Sequence, residues 1–155
     1  MMIFMIKLAA VTIATIGFAL IFGVPSRYYA YCGLIGGAGW LIYQLSLMNR
    51  LGDTAAIFVA TVGVILLSRW FAVRKRCPVT IFLISGIIPL VPGAGIYWAA
   101  YYIVTNQLGP AAETGFQAFK AVAAIVLGIV FVFELPQRMF RFPVRRSRNE
   151  PTMKK

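Results

Sequence analysis

The chain has 155 residues, 61% of them hydrophobic and 12% charged, where a soluble domain carries about 25% charged residues. It has no histidine, and its four acids are Asp53, Glu113, Glu134 and Glu150, which excludes His-dependent catalytic triads and nearly all metal-site chemistry. No G-x-x-x-x-G-K-[ST] phosphate loop occurs, so the chain carries no nucleotide motor of its own, and nothing in it reads as an enzyme or calls for a cofactor.

Apolar runs near the length that crosses a bilayer core predict an all-α polytopic membrane protein with five transmembrane helices, over residues 3–22, 28–48, 54–71, 78–104 and 116–135. They form one transmembrane domain, 1–137, followed by a basic tail, 138–155. The first run differs from a signal peptide: it is long, no A-x-A cleavage site follows, and more spans come after it. Small residues recur at close-packing spacings in the second span (Gly33, Gly36, Gly37, Gly39), the third (Ala56, Ala60, Gly63) and the fifth (Ala121, Ala124, Gly128), as helices in lipid need for close approach. Cys32 and Cys77 lack metal-ligand spacing and are expected as free thiols.

The fourth run, PVTIFLISGIIPLVPGAGIYWAAYYIV, cannot be one straight helix. Pro89 and Pro92 each remove a backbone donor, and Ile88 and Val91, each before a proline, are pushed from the α region. The expected form is two half-helices, 79–84 and 96–104, joined by the irregular run GIIPLVPGAG. Irregular backbone at membrane depth is tolerated only where protein buries it or a polar cavity meets it, and broken helices of this kind build the midplane sites of transporters. The plainer reading is a kink in a packed helix.

Between the fourth and fifth spans, residues 105–115 read as a turn without Lys or Arg. A fifth span starting at Phe116 puts Lys120 about 6 Å into it by helical rise, either snorkelling outward or facing a substrate path. Glu134, near its other end, either pairs with Arg138 one turn on or serves as a coupling carboxylate. Lys and Arg favour the cytoplasmic side. All fifteen except Lys7, Arg50 and Lys120 fall there if the N-terminus is outside and the C-terminus inside. A re-entrant fourth segment would break that rule. The tail suits an anionic lipid surface or a cytoplasmic partner, and no nucleic-acid module accompanies it.

GFALIFGVPSRYYAYCGLIGGAGWLIYQL from Gly17, CPVTIFLISGIIPLVPGAGIY from Cys77 and the five-span layout together resemble the small membrane subunit of the two-component threonine/serine exporter (ThrE-type) family. Ser85 departs from the pattern, since the family more often has proline there. The resemblance implies a larger partner subunit with a hydrophilic cytoplasmic N-terminal domain and five more spans. It also implies a multi-pass protein of a prokaryotic inner or plasma membrane that exports threonine, serine or related small carboxylates by a secondary mechanism. On that reading the amides near Gly93, Ala94, Gly95 and Ile96 take a substrate carboxylate. Carbonyls near Ile84 and Ser85 take the ammonium, and Gly86, Pro89 and Pro92 shape the break. The competing reading is a non-transporting membrane scaffold or assembly subunit with a dry break.

Overall fold

A backbone entering hydrocarbon must satisfy its polar groups locally, and a helix does so within a single segment. The computed structural model describes residues 2–135. They form six helices: α1 (Met2–Ile21), α2 (Tyr29–Met48), α3 (Asp53–Lys75), α4 (Thr80–Ile87), α5 (Gly93–Val104) and α6 (Leu108–Glu134), with 3-10 turns at Ser26–Tyr28 and Ile88–Leu90. Three of these, α1, α3 and α6, are long and apolar enough to cross a membrane, and a fourth crossing is made if α4 and α5, bent by 51°, count as one span. The helix α2 equals α1 in length at 20 residues, but its glycines, tyrosines, Gln44 and Ser46 dilute its apolar character. The tail expected over 138–155 lies outside the described residues, as does Arg138.

The turns after α1, α2, α3 and α5 share one construction. A residue with positive φ follows each helix: Gly23 (68°), Arg50 (60°), Arg76 (52°) and Asn106 (60°). The next amide reaches five residues back, as in Val24 to the Ala19 carbonyl at 3.0 Å and Cys77 to that of Ala72 at 3.1 Å. This is the Schellman pattern, which satisfies the last carbonyls of a helix.

Helices α1 and α2 run antiparallel through glycine contacts. A Cβ on Gly36 would lie 2.2 Å from Thr15 Oγ1, while Gly33 faces Ile16 and Gly37 faces Thr12. The seam continues from α2 to α3, where Gly39 meets Val64 and Gly63 meets Ile42. Hydroxyls inside this core bond within their own helices, Thr15 to the Val11 carbonyl at 2.8 Å and Ser68 to that of Val64 at 2.7 Å. Buried polar groups are thereby satisfied without spoiling the packing. Helix α6 lies parallel to α3 with Gly128 against Thr61. Arg69 of α3, itself buried, donates to the carbonyls of Val132 and Leu135 at the end of α6. These directions put Arg27, Arg74, Lys75, Arg76 and the end of α6 at one end of the bundle, the basic end.

Three expectations need correction. The first half-helix continues beyond residue 84: α4 reaches Ile87 and leads directly into the turn Ile88–Leu90. Ile88 therefore keeps α geometry (φ −52°, ψ −42°), and only Val91 is extended (φ −65°, ψ 130°). The irregular backbone shrinks from the ten residues of GIIPLVPGAG to Val91 and Pro92. Secondly, α6 begins at Leu108, not at Phe116. Pro110 stands in its first turn, where no intrahelical donor is needed. Thirdly, Lys120 consequently stands about 18 Å along α6 by helical rise, near its middle.

Helix α5 stands apart from the others. It contains no buried residue and packs chiefly on α6, with Gly95 against Ala118 and Ala99 against Gly115. Its other face carries Tyr97, Trp98 and Tyr101, each well exposed.

Candidate substrate site at the helix break

The break is local because its two causes coincide. Val91 is extended, as a residue before proline prefers, and Pro92 then serves as the N-cap of α5 (φ −77°, ψ 58°). The Val91 amide bonds the Ile88 carbonyl at 3.1 Å, closing the 3-10 turn without any donor from Pro89. A cavity of about 260 Å³ opens beside this segment. Pro89, Leu90, Val91 and Pro92 form one wall, with Trp40 and Tyr43 of α2 and Asp53 and Ile57 of α3 opposite.

The polar chemistry of the cavity comes from α2 and α3. Tyr43 donates its hydroxyl hydrogen to Asp53 Oδ1 at 2.5 Å. Asp53 is exposed and is the first residue of α3, a position where the helix dipole favours a negative side chain. Its second oxygen has no hydrogen-bond partner among the described residues. Trp40 and Tyr43 add ring surface to the same opening.

Of the residues singled out in the sequence, Pro89 and Pro92 line this cavity. Ser85 is fully buried, and its hydroxyl bonds the carbonyls of Ile81 (3.2 Å) and Phe82 (3.3 Å). Gly86 is also buried, facing Ile35 and Val64. Neither is brought to the opening. Ile84, whose carbonyl was expected to meet an ammonium, turns its side chain outward. At the start of α5, the Gly93 amide bonds the Val91 carbonyl (2.8 Å) and the Ile96 amide bonds that of Pro92 (3.0 Å). The amides of Ala94 and Gly95 have no carbonyl partner among the described residues, as expected inside the first turn of a helix.

Lys120 stands elsewhere, in a nearly apolar groove of about 550 Å³ between α3 and α6, lined by Thr54, Phe58, Phe116 and Leu127 among others. Its ammonium lies 5.2 Å from the centre of the Phe116 ring. Glu134 is exposed at the last position of α6, at the basic end and away from the break. The three charged positions are thus distributed over the break cavity, the lateral groove and the basic end.

The expected third span, starting at residue 54, leaves Asp53 just outside it, and Tyr43 has no expected role inside the second. The available signal was an acid opening an apolar span with a tyrosine ten positions earlier, across a tight helical hairpin. A family model described as "Threonine/Serine exporter, ThrE" matches residues 7–134. No solved structure matches the chain.

Proposed function

The chain belongs to the threonine/serine exporter family, and on that premise we propose that it is one half of a secondary exporter of small hydroxy amino acids or related small carboxylates. It is a multi-pass membrane protein of an amino-acid exporter family. The proposal adds five spans with the N-terminus outside and the C-terminus inside, in a prokaryotic plasma membrane. The clustering of Arg27, Arg74, Lys75 and Arg76 at the end where α6 finishes supports that orientation. The break cavity carries the functional reading, because it puts extended backbone, a carboxylate and aromatic rings around one small volume. A dry scaffold would need none of these.

In the proposed mechanism, the unbonded amides of Ala94 and Gly95 hold the substrate carboxylate at the positive end of the α5 dipole. Gly93 and Ile96 flank them, and Pro89 and Pro92 keep the segment from winding shut. Ser85 and Gly86 support this wall from behind. Lys120 and Glu134 are candidates for coupling or pathway charges, and the driving force is an ion or proton gradient. A larger subunit with five further spans completes the transporter. The absence of any buried residue in α5 supports a partner on that side.

Transport into liposomes containing this chain alone, the larger subunit alone, and both together tests the reading. Only the pair should move threonine or serine, and a pair carrying Pro89→Ala with Pro92→Ala should not. Export by the double proline variant at the wild-type rate would make the break a mere kink.

A further inference from the structure

We propose that Asp53, held by Tyr43 beside the Val91 and Pro92 break, receives the ammonium group of a small zwitterionic amino acid and turns the site against dianions. This inference rests on the reading of the break as the substrate site and adds to it a residue and a charge class.

The argument begins with the charges available. Asp53 is the one charged side chain lining the cavity among the described residues, and no Lys or Arg stands beside it there. Glu113 and Glu134 belong to α6, outside the lining. The carbonyl end of α4 offers no alternative, since Ser85 is closed off and bonded within its own helix. A cation entering this volume therefore meets Asp53.

Geometry prepares that carboxylate for the task. Tyr43 occupies Oδ1 at 2.5 Å and fixes the carboxyl plane, while Oδ2 has no partner among the described residues and remains for an incoming N–H donor. Charge-assisted hydrogen bonds of this type are about twice as strong as neutral ones. Trp40 shares the lining, and an indole face near a cation adds further attraction. The cavity, about 260 Å³, falls below the range of roughly 300–1,000 Å³ that suits drug-sized ligands, so it fits a smaller metabolite. A zwitterion's ammonium finds a negative group on α3 inside the cavity, which ends at Pro92, one residue before the start of α5. A dicarboxylate would bring its second negative charge against Asp53.

Binding to the purified full-length chain in lipid nanodiscs, with any subunit that co-purifies, provides the test. The probes are L-threonine, 3-hydroxybutyrate (the same skeleton without the ammonium) and succinate. Wild type should bind threonine at least about tenfold more tightly than either other probe. Asp53→Asn should weaken threonine by about tenfold or more, leave 3-hydroxybutyrate unchanged and improve succinate. Tyr43→Phe should give a smaller loss in the same direction, and Asp53→Glu should restore the preference for threonine. If Asp53→Asn fails to fold by thermal melt, the wild-type ranking of the probes and Tyr43→Phe decide the matter. Unchanged threonine binding in Asp53→Asn, with binding abolished by Pro92→Ala, overturns the role of Asp53 and keeps the break as the site. A wild type that prefers succinate also overturns it. A wild type that binds none of the three overturns both readings.

Discussion

Arg69 of α3 reaches over to the neighbouring helix and donates to the carbonyl of Val132, in the last turn of α6. Its guanidinium also meets Leu135 and lies 5.7 Å from the centre of the Phe133 ring. A cation is thereby placed at the negative end of the α6 dipole, where the Val132 carbonyl, already bonded by the Leu135 amide at 3.2 Å, gains a second donor and the Leu135 carbonyl gains one. Arg69→Leu should lower stability by about 2 kcal/mol, since a charge-assisted pair of hydrogen bonds and the cation at the end of the α6 dipole are both lost. Arg69→Lys should lose less. Unfolding of the purified protein in mixed micelles, followed by far-UV circular dichroism, measures both, and a Leu variant as stable as wild type would contradict the capping role.

The glycine seam between α1 and α2 gives a paired prediction. A Cβ on Gly36 meets Thr15 Oγ1 at 2.2 Å, Cγ2 at 2.7 Å and Cβ at 2.8 Å, so no rotation of Thr15 makes room. Gly36→Ala should force the helices apart and cost about 1–3 kcal/mol. Gly17, on the same helix as Thr15, has nothing within 4 Å of its virtual Cβ. Gly17→Ala should be neutral or stabilising by up to about 1 kcal/mol through helix propensity. Thermal melts of the two variants side by side check the contrast, which vanishes if the seam is loose.

The two prolines should differ in weight. Pro89 lies inside a 3-10 turn that follows α4 without interruption, whereas Pro92 makes Val91 extended and caps α5. Pro92→Ala removes the reason for Val91 to leave the α region and restores a helical donor, a gain for winding of about 3 kcal/mol. Substrate binding and export should collapse in Pro92→Ala and fall only modestly in Pro89→Ala. Equal effects in a transport assay would mean that the 3-10 turn matters as much as the bend.

Orientation is accessible to thiol labelling. With Cys32 and Cys77 replaced by serine, single cysteines at Arg50 and Asn106 should react with impermeant maleimide in intact cells, and one at Lys75 should not. Arg50 and Asn106 stand in turns at the end opposite to Lys75. Reaction of all three, or of Lys75 alone, would overturn the proposed N-out arrangement.

Much of this architecture was legible from residue order. The apolar runs mark helices, the glycines of α2 mark the seam, and the Val91 and Pro92 pair marks the bend. What escaped was decided locally by alternatives with the same composition. Pro89 reads as a breaker, but a 3-10 turn closes through the Val91 amide and does not need a proline N–H. Leu108, Gly109 and Pro110 read as a turn, yet a proline in the first helical turn costs nothing. The Tyr43 and Asp53 contact escaped for another reason. It joins the end of one helix to the start of the next, and neither helical periodicity nor charge counting reports which side chains meet across a hairpin.

The isolation of α5 has a consequence for biosynthesis. As the nascent chain leaves the ribosome, α2 can dock on α1, α3 on α2, and α4 on both α2 and α3, each on a surface already made. The next segment, Gly93–Val104, finds no such surface, because its close contacts, Ala118 and Gly115, belong to a helix not yet translated. It must wait at the translocon or in lipid until α6 follows. Helices α5 and α6 are therefore integrated as a hairpin, and a chain stopped at Val104 would leave α5 without its mate.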